Sequence, residues 1–136
     1  MSTHTATDMR WHKEKRVDDE VMRHPADGEA WKEFDRTFPE FADDPRNVRL
    51  GLATDGFNPY GVLNQHRSTW QIFVFPYNLP PWKCMKKECM MMTVLITEDL
   101  GRSIDVYLRP LVDELKDLWT NGVRKYDKST EKMFTL

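Results

Sequence analysis

Asn47-Val48-Arg49-Leu50-Gly51-Leu52-Ala53-Thr54-Asp55-Gly56-Phe57-Asn58-Pro59 is the stretch on which the reading of this chain turns. Its first half, Val48 to Ala53, alternates imperfectly and is apolar enough to form a strand. Its second half runs on to Tyr60-Gly61 and is dense in turn formers. A carboxylate therefore stands where an apolar strand reaches the rim of a sheet. Asp-Gly between two strands is a common hairpin turn signal. A carboxylate held rigidly at a strand end is also the kind of oxygen ligand a hard divalent cation takes. Gly56 would let backbone or substrate come close. From these residues alone the turn is the simpler account.

Downstream, Trp70 to Phe75 and Met90 to Ile96 read as two further strands. Both are apolar on nearly both faces, which suits a sheet covered by helices. Pro76, Pro80 and Pro81 hold the chain extended between them. Ser103 is placed to cap a helix reaching about Thr120. Its stripe of Ile104, Leu108, Leu111, Leu115 and Leu118 recurs at helical spacing. Pro110 inside the stripe predicts a kink or a restart, and Asn121-Gly122 a stop. Lys125 to Glu131 reads as a charged loop, and Lys132 to Leu136 as the opening of a fourth strand.

Upstream, residues 1–8 read as a loose tail and 9–24 as a short exposed helix with a weak apolar stripe. Asp27 is placed to cap a second helix with Ala30, Trp31, Phe34 and Phe38 on its apolar face, stopped or bent by Pro39. Asp43-Asp44-Pro45-Arg46 reads as a linker, because a residue before proline is pushed out of the helical region. The expected organisation is an N-terminal helical extension, 1–46, and a mixed domain, 47–136.

Composition narrows the function classes. Of 136 residues 40% are hydrophobic, enough for a core. Twenty Lys+Arg against 22 Asp+Glu exclude a chain-wide basic footprint. The cluster Arg10, Lys13, Lys15 and Arg16 is a local nucleic-acid candidate, with a solvated helix face the simpler account. No apolar run approaches the ~20 residues of a membrane helix, and the polar first residues show no signal peptide, so a soluble intracellular chain without membrane partners is expected. Cys84 and Cys89 read as reduced thiols or, less simply, half a metal site, which would want four ligands.

Other chemistry is thin. Glu98 and Asp99 follow the third strand and would reach the same rim as Asp55, though a solvated loop is simpler. Asp113, Glu114 and Asp117 fall on the wet face of the long helix, and Asp105 suits its N-terminal dipole. His12, His24 and His66 have no nucleophile at a recognisable spacing, and no Gly-rich phosphate loop exists.

Longer words are more telling. They include Arg10-Trp11-His12, Met22-Arg23-His24-Pro25-Ala26-Asp27, Ala30-Trp31-Lys32 and Phe34-Asp35. Asp44-Pro45-Arg46-Asn47 continues into the stretch quoted first. Pro76-Tyr77-Asn78-Leu79-Pro80-Pro81-Trp82 and Ile104-Asp105-Val106-Tyr107-Leu108-Arg109-Pro110-Leu111 follow in order. Together, from about Met9 to Leu136, they resemble the transposases of plant CACTA (En/Spm-like) DNA transposons. The segment Thr97 to Ser103 departs from that pattern, where relatives carry a Gly/Pro-rich loop.

The resemblance implies an α/β, ribonuclease-H-like fold that cuts and joins DNA ends with acidic residues and Mg2+. Here it would comprise three strands, one long helix and the start of a fourth strand, after two short helices. It implies that Asp55 is the first catalytic, metal-ligating carboxylate of a DDE-type site, and that the partners are transposon-end DNA and full-length transposase in the nucleus. The second acid is expected on or after the fourth strand and the third far beyond a Cys/His-rich insertion. The chain alone is therefore expected to be a fragment without cleavage activity. The alternatives are a DNA- or transposase-binding module, motivated by the basic cluster and the strand edge at Lys132 to Leu136, and a remnant without selected function.

Overall fold

The computed structural model describes residues 3–19, 21–57, 69–97, 104–128 and 130–136. In order they form α1 (Thr3–Asp8), α2 (Trp11–Glu14), α3 (Glu29–Thr37), α4 (Pro39–Asp43), β1 (Leu50–Phe57), β2 (Thr69–Pro76), α5 (Pro81–Cys84), β3 (Met91–Ile96), α6 (Ile104–Asn121), β4 (Arg124–Asp127) and β5 (Lys132–Thr135). Single 3-10 turns occupy Pro25–Asp27 and Lys87–Cys89. The mixed α/β class expected from the sequence is present, with β1, β2 and β3 in one antiparallel sheet in that order.

Two compact units divide the chain. One comprises 52–74 and 91–122. Here β2 and β3 pair antiparallel, with Trp70 opposite Ile96 and Ile72 opposite Val94. Residues directly opposite share a face, so these four line one side of the sheet. Ile72 and Ile96 are buried there, and Ile104, Tyr107, Leu108 and Leu111 of α6 pack against them. The register slips between Ile72 and Phe73, where the Thr93 hydroxyl donates to the Ile72 carbonyl at 3.1 Å. Helix α6 runs through Pro110. It stops where expected, Gly122 taking φ 65° and donating its N–H to the Leu118 carbonyl at 2.9 Å. Leu118, the last member of the stripe, is exposed. The expectation of apolar burial on both sheet faces is not met within this unit: Met91, Met92 and Leu95 are exposed.

The other unit comprises 1–51, 75–90 and 123–136. Its apolar cluster is small: Met9, Leu79 and Cys84, with Val48 and Cys89 packed against them. Polar clamps supply the rest. Asn78, fully buried, accepts the Arg49 N–H at 2.7 Å and donates to the Asn47 carbonyl at 2.8 Å. The Tyr77 N–H donates to the Arg49 carbonyl at 2.8 Å. A Cβ on Gly51 would stand 2.6 Å from the Phe75 and Tyr77 rings, so only glycine fits this approach.

Several local expectations change. Thr54 to Phe57 continue β1 rather than turn, so Asp55-Gly56 is not a hairpin loop. Residues 3–8 are helical, and the helix expected over 9–24 shrinks to α2, because Met9 and His12 are drawn into the unit. The Asp27 carboxylate points back, accepting the Arg23 and His24 N–H groups, and Gly28 stands at the N-cap of α3. α3 stops at Thr37, just before Pro39 as expected, and Pro39 itself opens the short α4, as suits a residue without an N–H. The strand expected at Lys132 to Leu136 is present as β5, but its partner is β4, in a segment read as loop. Arg124 faces Thr135 and Asp127 faces Lys132. Glu131, at φ 56°, makes the left-handed step that closes this hairpin.

Candidate metal-binding carboxylate and its surroundings

Asp55 lies near the C-terminal end of β1 with its side chain exposed. The neighbouring glycine fixes its direction. A Cβ on Gly56 would come within 3.0 Å of the Trp70 ring, so Gly56 faces the α6-covered side of the sheet. Successive strand residues alternate, which sends the Asp55 carboxylate to the opposite, open side. Gln71 and Leu95, paired across β2 and β3, face that side as well. The Asp55 side chain makes no hydrogen bond or ion pair among the described residues. The carboxylate is thus held on a strand and open to solvent, as a ligand to an incoming cation would be.

A complete metal centre does not follow. Among the described residues no three of His, Cys, Asp and Glu gather within reach of one ion. Mg2+ wants near-octahedral oxygen ligation, and one carboxylate supplies only part of it. Glu98, Asp99, His66 and Ser68 lie outside the described residues. Asp105, Asp113, Glu114 and Asp117 are exposed on α6, and Asp117 accepts from the Asn121 amide at 2.6 Å.

The basic cluster is mostly committed within its own unit. Arg10 pairs with Glu14 at 3.1 Å and approaches Asp127 at 3.6 Å. Lys13 donates to the Ala42 and Asp43 carbonyls at 2.7 and 2.9 Å. Arg16 binds Asp27 at 2.6 Å. Burial works against ionisation of Asp27, but the Arg23 and His24 N–H groups and the Arg16 guanidinium outweigh it and hold the carboxyl below its ordinary value. Lys15 alone of the four is simply exposed.

His12 and His24 are structural. His12 is 9% exposed and lies 5.4 Å from the Trp31 ring. Burial first, then the nearby Arg49 charge, pushes its imidazole down to about 4, so it is neutral at pH 7. His24 accepts the Ala26 N–H on Nδ1 and is edge-on to Trp11 and Tyr77; burial lowers its pKa too. Cys84 and Cys89 are free thiols, and burial pushes the Cys84 thiol up.

Two charged groups escaped the sequence reading. Arg49 lies 3.9 Å over the Trp31 ring and 5.0 Å from the Phe34 ring, and is ion-paired to Asp35. Asp127 is buried on β4 between Arg10 and Arg46. The imperfect alternation of the first strand gives Arg49 no special place, and nothing local marks Asp127. Each is explained only by partners distant in sequence.

No helix among the described residues is long and apolar enough to cross a membrane. No curated protein and no solved structure matches the chain. The family Transposase_21, described as transposase family tnp2, matches residues 19–136, a span that includes β1 with Asp55, the sheet, α6 and the terminal hairpin. With most of its length inside that match, the chain belongs to the tnp2 transposase family.

Proposed function

We propose that the chain is part of a DDE-type DNA transposase of the plant CACTA (En/Spm-like) kind, with a ribonuclease-H-like catalytic fold in which Asp55 is the first metal-ligating carboxylate. One observation carries the reading: within a transposase family match, an unpaired aspartate stands near the end of a sheet strand and faces away from the covering helix. The DNA partner is the transposon end, full-length transposase is a second partner, and the place of action is the nucleus. Mg2+ is the cation proposed. Asp55 would be one ligand among several, and the described residues do not complete the set. Cleavage and strand transfer therefore belong to the intact transposase, and this chain alone is inactive. Two ions must be neutralised and positioned together for that chemistry, which one carboxylate does not achieve.

The test uses Mn2+ as a paramagnetic probe. Titrated into 15N-labelled protein, it should broaden the amide signals around Thr54, Asp55 and Gly56, and Asp55→Asn should abolish the broadening. Unaffected signals there would overturn the ligand role. Mg2+- or Mn2+-dependent nicking of transposon-end DNA should be absent. Nicking by the purified chain that vanishes in Asp55→Asn would overturn the claim of inactivity.

A further inference from the structure

The segment from Asn78 to Cys89 buries and exposes its side chains in a definite pattern. Asn78, Leu79 and Cys84 point inward and are buried. Pro80 and Pro81 preset the backbone at the entry to α5, and Lys83 is tied to Asp8 at 2.6 Å. Between these anchors the largest side chain points outward: Trp82 is 62% exposed. Trp11 meets it edge-on with ring centres 5.6 Å apart, which props the indole without covering it. Met85 beside it is 58% exposed. Lys86 and Lys87 follow, both exposed, and neither pairs with a carboxylate among the described residues.

A tryptophan held out on a rigid turn is costly to leave in water and contributes nothing to the buried cluster. Four and five residues on, Lys86 and Lys87 add two unpaired ammonium groups against one exposed carboxylate, Glu88, so the segment is net basic. A protein partner with an apolar surface would use Trp82 and Met85 but would have to desolvate Lys86 and Lys87. A polymer of stacked bases and phosphates uses both parts at once: bases have π faces for the indole, and phosphates lie one backbone step away for the lysines. Duplex DNA hides its base faces, so the match is to unpaired bases.

We propose that Trp82, flanked by Lys86 and Lys87, is a stacking platform for single-stranded DNA. The platform draws on the DNA partner of the reading above and is independent of Asp55. Its rigidity matters energetically, because little side-chain or loop freedom remains to be lost on binding.

The test is fluorescence anisotropy of a dye-labelled single-stranded oligonucleotide with the whole chain, across a range of salt, beside the same sequence as a duplex. Single strands should bind more tightly than duplex. Trp82→Ala should weaken binding about tenfold, as loss of one stacked base predicts, while Trp82→Phe keeps most of it. Replacing Lys86 and Lys87 together by Gln should reduce the slope of log K against log salt by about 1.4, two single-strand phosphate contacts. Binding in EDTA at matched ionic strength should equal binding without it, so failure of the metal reading leaves this result standing. Trp82 is exposed, and unchanged circular dichroism and melting in Trp82→Ala would show that folding is not the cause of lost binding. The proposal is overturned if the parent chain binds no single strand at micromolar concentrations in low salt, or if Trp82→Ala binds like the parent. It is equally overturned if Trp82→Ala changes self-association in sedimentation while leaving DNA binding intact.

Discussion

The two units of this chain are stabilised in different ways. In the unit of 52–74 and 91–122, Ile72 and Ile96 meet a helix stripe, and the buried contacts are apolar and non-directional. In the unit of 1–51, 75–90 and 123–136, a small apolar cluster is supplemented by directional contacts: the Asn78 clamp, Arg49 over Trp31, and Asp127 between Arg10 and Arg46. The first kind of packing tolerates a change of shape better than a change of polarity. The second fails when one partner is removed, because a buried polar group left without its bond keeps its full desolvation cost.

That contrast can be broken by paired substitutions. Ile72→Ala should cost about 3–4 kcal/mol through the cavity it leaves, whereas Ile72→Val should cost only about 1 kcal/mol. Asn78→Ala should cost about 3 kcal/mol, since the Arg49 N–H and the Asn47 carbonyl both lose their partner. Asn78→Asp should do little better, having no amide to donate to Asn47. Urea melts give the totals, and hydrogen exchange should place each loss in the unit that carries the substitution. Equal tolerance of conservative changes in both units would erase the distinction.

Acid should separate the units next. The folded-state pKa of His12, about 4, lies below its ordinary 6.5, so the unfolded chain takes up the proton first. The stabilisation from neutral His12 is complete above pH 6.5 and is lost as pH falls from there toward 4. A Tm drop of about 5–10 °C over that window is expected. His12→Gln should flatten it, and the exchange protection lost should lie in the unit holding His12. A pH-independent Tm between 6.5 and 4 would contradict the burial of that ring.

The smallest effect is expected at Asp55. The side chain is exposed and unpaired among the described residues, so Asp55→Asn should change stability by under about 0.5 kcal/mol. A larger loss in urea melts would mean that the carboxylate supports the sheet and is not held in reserve for a ligand.

The same contrast explains what was legible in the sequence. β2, β3 and α6 follow from periodicity, because each lies on or beside a continuous apolar surface that repeats every two or every three to four residues. β1 was legible in its first half only: Thr54, Asp55 and Gly56 have turn-like composition, and their strand conformation comes from pairing with β2. α1, α4 and β4, the partner of the expected strand β5, were missed because their stability comes from distant partners, such as Lys83 for Asp8 and Arg10 for Asp127. Of the candidate site, the place of Asp55 after an apolar strand was readable, but its own strand conformation was not. The side of the sheet it faces was not, since that depends on where the Trp70 ring lies beneath Gly56.

The ion pair between Lys83 and Asp8 has a temporal consequence. It joins residues 75 positions apart, and the hairpin that embraces Asp127 lies further along still. Closing loops of that length is entropically slow compared with folding a local meander. As the chain leaves the ribosome, β2 and β3 can pair while the unit that holds the N-terminus still lacks its last segment, 123–136. Arg10 and Arg46 then wait for Asp127, and Arg46 for the Phe134 ring, all made last. Until then the nascent chain presents two guanidinium groups that the finished fold pairs, and a chaperone or another chain has its best opportunity to bind there.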